Sequence, residues 1–275
     1  MHLRVGCSFE FDLPVATHAV VLVEPHPSEP ATVHRAHFAA EPETASSVYL
    51  DRFGNRCRRL TLPAGTAQLS FDAVVAASAE PDPYQPDAPA LRPDQLPDDS
   101  LTFLLPSRYC ESDELAGLAA AEFSGVPAGW AQVQAVCDWV HGHVRFDYGA
   151  SSPMHTAASV HRAGTGVCRD FTHLGIALCR ALNVPARYVF GYLPDIGVPE
   201  TGPMDFAAWM EAYLGDRWYT FDPRNNERRI GRVVIGRGRD AADVAMVTTF
   251  GQVVLRNMTV WAAEDHAAVP ASSTG

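Results

Sequence analysis

A cysteine in the stretch Gly164-Thr165-Gly166-Val167-Cys168-Arg169-Asp170 is the residue best placed to do chemistry in this sequence. It follows a flexible Gly-Thr-Gly turn and begins a segment with helical spacing that runs to about Leu182, ahead of Asn183 and Pro185. A cysteine in the first turn of a helix faces unpaired backbone N–H groups and the positive end of the helix dipole. Both favour the thiolate, which is the nucleophilic form. The same N–H groups suit an oxyanion formed when an acyl carbon is attacked. The plainer reading is a small core residue, and Cys179, deeper on the same helix, suits it better. Gly175, two turns on, leaves room for a neighbour to approach closely.

Downstream, Ala207 to Leu214 and Arg217 to Phe221 read as two strands joined by Gly215-Asp216. A two-residue hairpin loop pairs Leu214 with Arg217 and, counting back, sets Trp209 opposite Asp222. Ala207 is then a same-face diagonal neighbour of Asp222, roughly 7–8 Å away between Cα atoms. Trp209 and Tyr213 share that face and are candidates to line a cleft, although strand aromatics are more often core. Asp222 before Pro223 also has a turn-forming role. Arg224, Arg228, Arg229, Arg232, Arg237 and Arg239 crowd one stretch. Their forks fit an anionic ligand, but a solvated, charge-protected strand edge is the favoured reading. Gly236-Arg237-Gly238-Arg239-Asp240 lacks the ending of a phosphate loop. Asp205, Glu211 and Asp222 have no metal-ligand spacing, so no metal and no cofactor are expected.

These residues need a scaffold. The chain has 275 residues, with 47% hydrophobic and 19% charged, which is globular composition. Its first 78 or so residues alternate in short candidate strands (Leu3–Val5, Ala19–Val23, Ser47–Leu50, Leu69–Val75) and suggest a small β-sandwich over 1–79. Proline and aspartate are dense from 80 to 106, the mark of a linker crossing a surface. Residues 107–265 form the core. It has helices opening at Ser112-Asp113-Glu114 and Pro127-Ala128-Gly129-Trp130, a short one within Met154 to Arg162, and strands at Ala186–Leu193, Arg232–Ile235 and Gly251–Trp261. Residues 266–275 read as a flexible tail.

Net charge is −11 and every one of the 21 positive side chains is arginine. The average surface repels nucleic acid, and the chain has no lysine for Schiff-base chemistry. Six cysteines without C-x-x-C spacing read as reduced thiols. With no apolar run long enough for a signal peptide or membrane span, the cytoplasm is the expected compartment.

Gly166-Val167-Cys168-Arg169-Asp170-Phe171-x-His173-Leu174, followed by Pro185-Ala186-Arg187-Tyr188 and Gly191-Tyr192, resembles the nucleophile segment of bacterial transglutaminase-like proteins. Asp205-Phe206-x-Ala208-Trp209-x-Glu211-x-Tyr213 and Trp218-Tyr219-Thr220-Phe221-Asp222-Pro223 are similar to the second and third catalytic segments, in the same order. The resemblance implies an α+β fold: a papain-like, transglutaminase-like core with helices packed on an antiparallel sheet, behind a small β domain. It implies Cys168 as nucleophile, forming a thioester with a peptide or small-molecule acyl donor, and Asp222 as orienter of a histidine. An amine acceptor or water would resolve the thioester. Trp209, Tyr213 and Arg224 are the substrate-side candidates. The sequence departs from the pattern at the histidine, where it has Ala207. Three readings stay open: another imidazole (His173, His155, His143 or His141) as base, chemistry without one, or a non-catalytic scaffold. The sequence is silent on oligomeric state.

Overall fold

The computed structural model describes residues 1–27, 32–150, 152–200 and 202–265. The expected tail, 266–275, lies outside them. Six strands come first: β1 (His2–Leu13), β2 (Thr17–Val21), β3 (Thr32–Glu41), β4 (Ser46–Leu50), β5 (Arg56–Leu62) and β6 (Gly65–Ala76). Leu3, Val5, Cys7, Phe9, Phe11 and Leu13 alternate along β1 and are all buried, the period-two pattern of a strand with one face on a core. Four helices follow: α1 (Ala116–Phe123), α2 (Trp130–His143), α3 (Ala157–Ala163) and α4 (Cys168–Ala181). Two-residue strands β7 (Arg145–Phe146) and β8 (Thr165–Gly166) pair in parallel just before α4. The chain then makes β9 (Ala186–Tyr192), β10 (Ala207–Leu214), β11 (Arg217–Phe221), β12 (Val233–Gly238), β13 (Val247–Thr249) and β14 (Val254–Glu264).

The core sheet has the order β11-β10-β9-β12, antiparallel throughout. This is the expected α+β architecture. α4 packs on the sheet with Gly175 against it. A Cβ there would lie 3.1 Å from the Met210 sulfur and 3.3 Å from Pro223 Cγ, so the missing side chain is what lets helix and sheet meet. Leu214 pairs with Arg217 and Met210 with Phe221, the register that the two-residue loop requires. Asn183, at φ 61, turns the chain out of α4.

The structure departs from the sequence reading in two places, the strand at Gly251–Trp261 assigned to the 107–265 core and the linker at 80–106. β14 pairs with β1 and β13 with β2, so the last strands complete the two sheets begun by the first 76 residues, β14-β1-β6-β3 and β13-β2-β5-β4. The Pro/Asp-rich stretch is not a bare linker. Its Ala88, Leu96 and Phe103 are buried, and Ala88 accepts the Trp130 N–H at 2.9 Å. Gly129 holds φ at +114 where a Cβ would meet the Ala88 carbonyl oxygen at 2.5 Å, so the strap and the start of α2 touch backbone to backbone.

Candidate functional site

Cys168 is the first residue of α4, and the preceding residue is fixed by the helix itself. The Asp170 carboxylate accepts the Val167 N–H at 2.9 Å and is in turn held by Arg169 at 3.0 Å. Asp170 is fully buried, which makes this arrangement a rigid base for the thiol. Opposite it, β10 runs beyond its last β11 partner, the Met210–Phe221 pair, to Ala207. The Cys168 sulfur lies against this extension, 3.9 Å from the Phe206 carbonyl oxygen, with the Ala208 and Arg169 amides pointing at it.

Cys168 is half-buried and lines a cavity of about 1060 Å³. Near it the walls carry Tyr148, Asp205, Ala207, Ala208, Arg224 and Asn225. Burial works against the thiolate that the helix position of Cys168 favours. Burial pushes its pKa up to about 11, and nearby Asp205 pushes the same way. The two backbone amides and Arg224 pull down without prevailing. Burial also raises Asp205, whose Oδ1 accepts the Phe206 N–H at 2.7 Å. Its other oxygen has no protein partner among the described residues. Arg224 donates to Asn225 Oδ1 at 2.7 Å and lies 4.5 Å over the Phe146 ring. Cys168 thus sits between a carboxylate and a guanidinium that do not neutralise each other directly. The sequence reading singled out Arg224 but not Asp205 as a participant; the Asp-Phe pair preceding Ala207 was the signal available.

Asp222 is buried at the end of β11 and is fully occupied. Oδ1 accepts the amides of Arg224 (3.2 Å) and Asn225 (2.9 Å), and Oδ2 accepts Asn225 Nδ2 (2.8 Å) and Arg232 Nη2 (2.9 Å). Those contacts use its acceptor positions. Trp209 is sealed, packed with Val189, Val234 and Ala207 under the Arg232 guanidinium. Tyr213 stacks edge-on with Trp218. Neither lines the cavity: Trp209 is core, and Tyr213 is half-buried against Trp218.

The arginine cluster is neither a solvated edge nor an open anion site. Arg232 bridges Asp82 and Asp222, Arg229 holds Asp195, Arg237 holds Glu211 and Arg239 holds Asp243. Arg232 and Arg229 are buried because their carboxylates come from elsewhere in the chain, Asp82 from the strap and Asp195 from the loop after β9.

The histidines weighed as substitute bases all point elsewhere. His173 is fully buried between Tyr109 and Tyr188, and its Nε2 accepts the Ala241 N–H at 3.1 Å. His141 Nδ1 lies 2.9 Å from the Arg224 carbonyl oxygen and His143 Nε2 2.8 Å from that of His161. His155 approaches Asp170 at 3.9 Å. Among the described residues no imidazole hydrogen-bonds to the Cys168 sulfur.

The family model of the transglutaminase-like superfamily matches residues 118–223, which span α1 to just past β11. The chain is 32% identical to a candidate cysteine protease from Cytophaga hutchinsonii of known crystal structure; the match covers 96% of this chain and 90% of that one, with a TM-score of 0.87. An uncharacterized protein of Mycobacterium leprae is 26% identical over 211 residues, 74% of this chain and 75% of its own length. One from Mycobacterium tuberculosis is 29% identical over 214 residues, 70% of this chain and 68% of its own. The chain belongs to the transglutaminase-like superfamily. Its fold is that of a thiol-enzyme-like family.

Proposed function

We propose that the protein is a thiol hydrolase or acyltransferase that takes an acyl group from an amide, peptide or thioester onto Cys168. One observation carries this reading: the only half-buried cysteine heads a helix and faces a large cavity, while the other five are buried. In the proposed reaction the sulfur attacks the acyl carbon, a C–S bond forms, and the oxyanion is met by backbone N–H groups at the start of α4. The C–N bond of an amide, or the C–S bond of a thioester donor, then breaks. The thiol proton passes to the free oxygen of Asp205 and on to the departing amine or thiol, and water or an amine resolves the Cys168 thioester. Asp205 takes this part because Ala207, at the place where the family resemblance puts a histidine, offers only a methyl group. Asp222 keeps a structural part, fixing the turn that carries Arg224. The unpaired thiols support a reducing compartment, and we place the protein in the cytoplasm on that ground. No helix among the described residues is long and apolar enough to cross a membrane.

The test is acyl trapping. The full chain is incubated with peptide amides and hydroxylamine, and hydroxamate products are measured against a Cys168→Ala control. Hydroxamate that disappears in the variant supports the reading; equal product from both proteins sinks it.

A second reading is a binding scaffold that has lost its chemistry. It is favoured by the saturation of Asp222, which leaves no acceptor for an imidazole.

A further inference from the structure

The cavity is much larger than a small acyl group needs, and one of its walls is not part of the core sheet. That wall comes from β1 and β14, the first and last strands of the chain, through Phe9, Phe11, Leu255 and Met258. These four are two directly opposed pairs, Phe9 with Met258 and Phe11 with Leu255, so they form one apolar patch on a single sheet face. The Phe9 and Phe11 rings stack at 6.0 Å. The patch connects to the thiol: Phe9 stacks on Phe206 at 6.2 Å, and the Phe206 carbonyl oxygen is the group beside the Cys168 sulfur.

Charge in the cavity is distributed unevenly. Arg169 is tied to Asp170 and Arg229 to Asp195. Asp205 and Arg224, which have no salt-bridge partner among the described residues, both act on the Cys168 sulfur. The patch on β1 and β14 has no charged member, and Leu255 is 51% exposed although it faces the cavity. A polar reacting end and an apolar end, whose two phenylalanines are buried and whose Met258 and Leu255 edge is open, match a molecule with the same polarity along its length.

We propose that the acyl donor of Cys168 carries an apolar chain or side chain that lies on the Phe9–Met258 and Phe11–Leu255 pairs, making the first β-sheet the face that selects the substrate. The inference rests on the thiol reading above and adds the class of its substrate. It gives the return of the C-terminal strand to β1 a role in the site: without β14 the cavity lacks half of this wall.

The experiment uses the full chain and the p-nitrophenyl esters of acetate, butyrate and hexanoate at pH 8.5. Acylation forms the C–S bond and breaks the acyl C–O bond, and the thiol proton leaves with p-nitrophenol. The rate at Cys168 is followed by peptide mass spectrometry and divided by the rate of the same ester with N-acetylcysteine. Burial of one methylene is worth about fourfold, so the normalised rate rises by about tenfold or more from acetate to hexanoate. In Leu255→Asp that ratio falls at least fivefold. A ratio that is flat or falls with chain length overturns the proposal. If no ester acylates Cys168, the thiol reading fails, and the wall is read separately by calorimetric binding of decanoate to Cys168→Ala. Binding that is weakened by Leu255→Asp upholds the apolar wall, and no binding overturns it.

Discussion

Arg232 donates to Asp222 at 2.9 Å while its guanidinium lies 4.7 Å over the Trp209 ring. This buried contact occupies the carboxylate that would otherwise orient an imidazole at position 207. Ala207→His therefore supplies a base without an orienter. A misoriented imidazole loses most of its effect, by as much as about 10⁴ in a nucleophile–base–orienter set. Alkylation of Cys168 by iodoacetamide at pH 7 is expected to rise by less than about tenfold in this variant. A gain of a thousandfold would show that Asp222 can release its partners and serve the ring.

The same reagent reads the resting thiol. Burial holds Cys168 near about 11, above an ordinary cysteine at about 8.5. The rate of labelling should thus climb through pH 9 and 10 without levelling off. The other five cysteines are buried, with Cys7, Cys110 and Cys179 pushed up to about 12, so adducts on native protein should map to Cys168. A plateau below pH 8.5 would mean that the amides and Arg224 outweigh burial.

Asp205 is expected to matter to activity and stability in opposite directions. As the proposed proton acceptor, its loss in Asp205→Asn should slow hydroxamate formation by about 10² or more. Its folded pKa is raised, so the folded state favours the protonated acid and stability is lost as pH rises through that value. The neutral amide removes this penalty, and Asp205→Asn should melt higher than the parent at pH 7. Slower turnover together with a lower melting temperature would point to structural damage in place of lost catalysis.

Local parts of this architecture were legible in the sequence. Gly215-Asp216 set the β10–β11 register, and the glycines before Cys168 marked the start of α4. What escaped were pairings over long sequence distances. β3 and β5 carry arginines and histidines within their alternation, so no clean apolar signal announces them. Nothing near Arg232 indicates that Asp82 will bury it, so its cluster resembled an exposed edge. The cavity escaped for the same reason, because Phe9 and Met258 meet only when the two ends of the chain pair. The thiolate expectation left out burial, because helix-end electrostatics are local and visible in sequence while the burial that opposes them is not.

The Arg232 bridge also predicts a stability effect. Arg232→Met leaves Asp82 and Asp222 without their cation at a buried site. Removing one partner of a buried ion pair typically costs about 3–5 kcal/mol, because the remaining charge is stranded. Urea denaturation should show a loss of that size. Arg92→Met, at an exposed pair with Asp94, should leave the denaturation midpoint essentially unchanged. Equal small effects in both would mean that water reaches Asp222 freely.

His173 gives the protein a sensitivity to mild acid. It is buried and neutral, and burial together with the charges of Arg169 and Arg180 depresses its pKa well below 6.5. In the unfolded chain the ring takes up a proton near pH 6.5, whereas in the folded state it resists. Its contribution to stability is therefore complete above about pH 6.5 and is lost as pH falls, by up to about 1.4 kcal/mol per pH unit from this one group. Glu211 acts lower on the scale: burial raises it, but Arg187 and Arg237 outweigh burial and hold it below the usual carboxylate range, so its contribution disappears only in stronger acid. His173→Gln can still accept the Ala241 amide but cannot titrate. Between pH 7 and 5.5 the parent's denaturation midpoint should drop more steeply than that of His173→Gln, and parallel slopes would show that the ring is protonated in the native state.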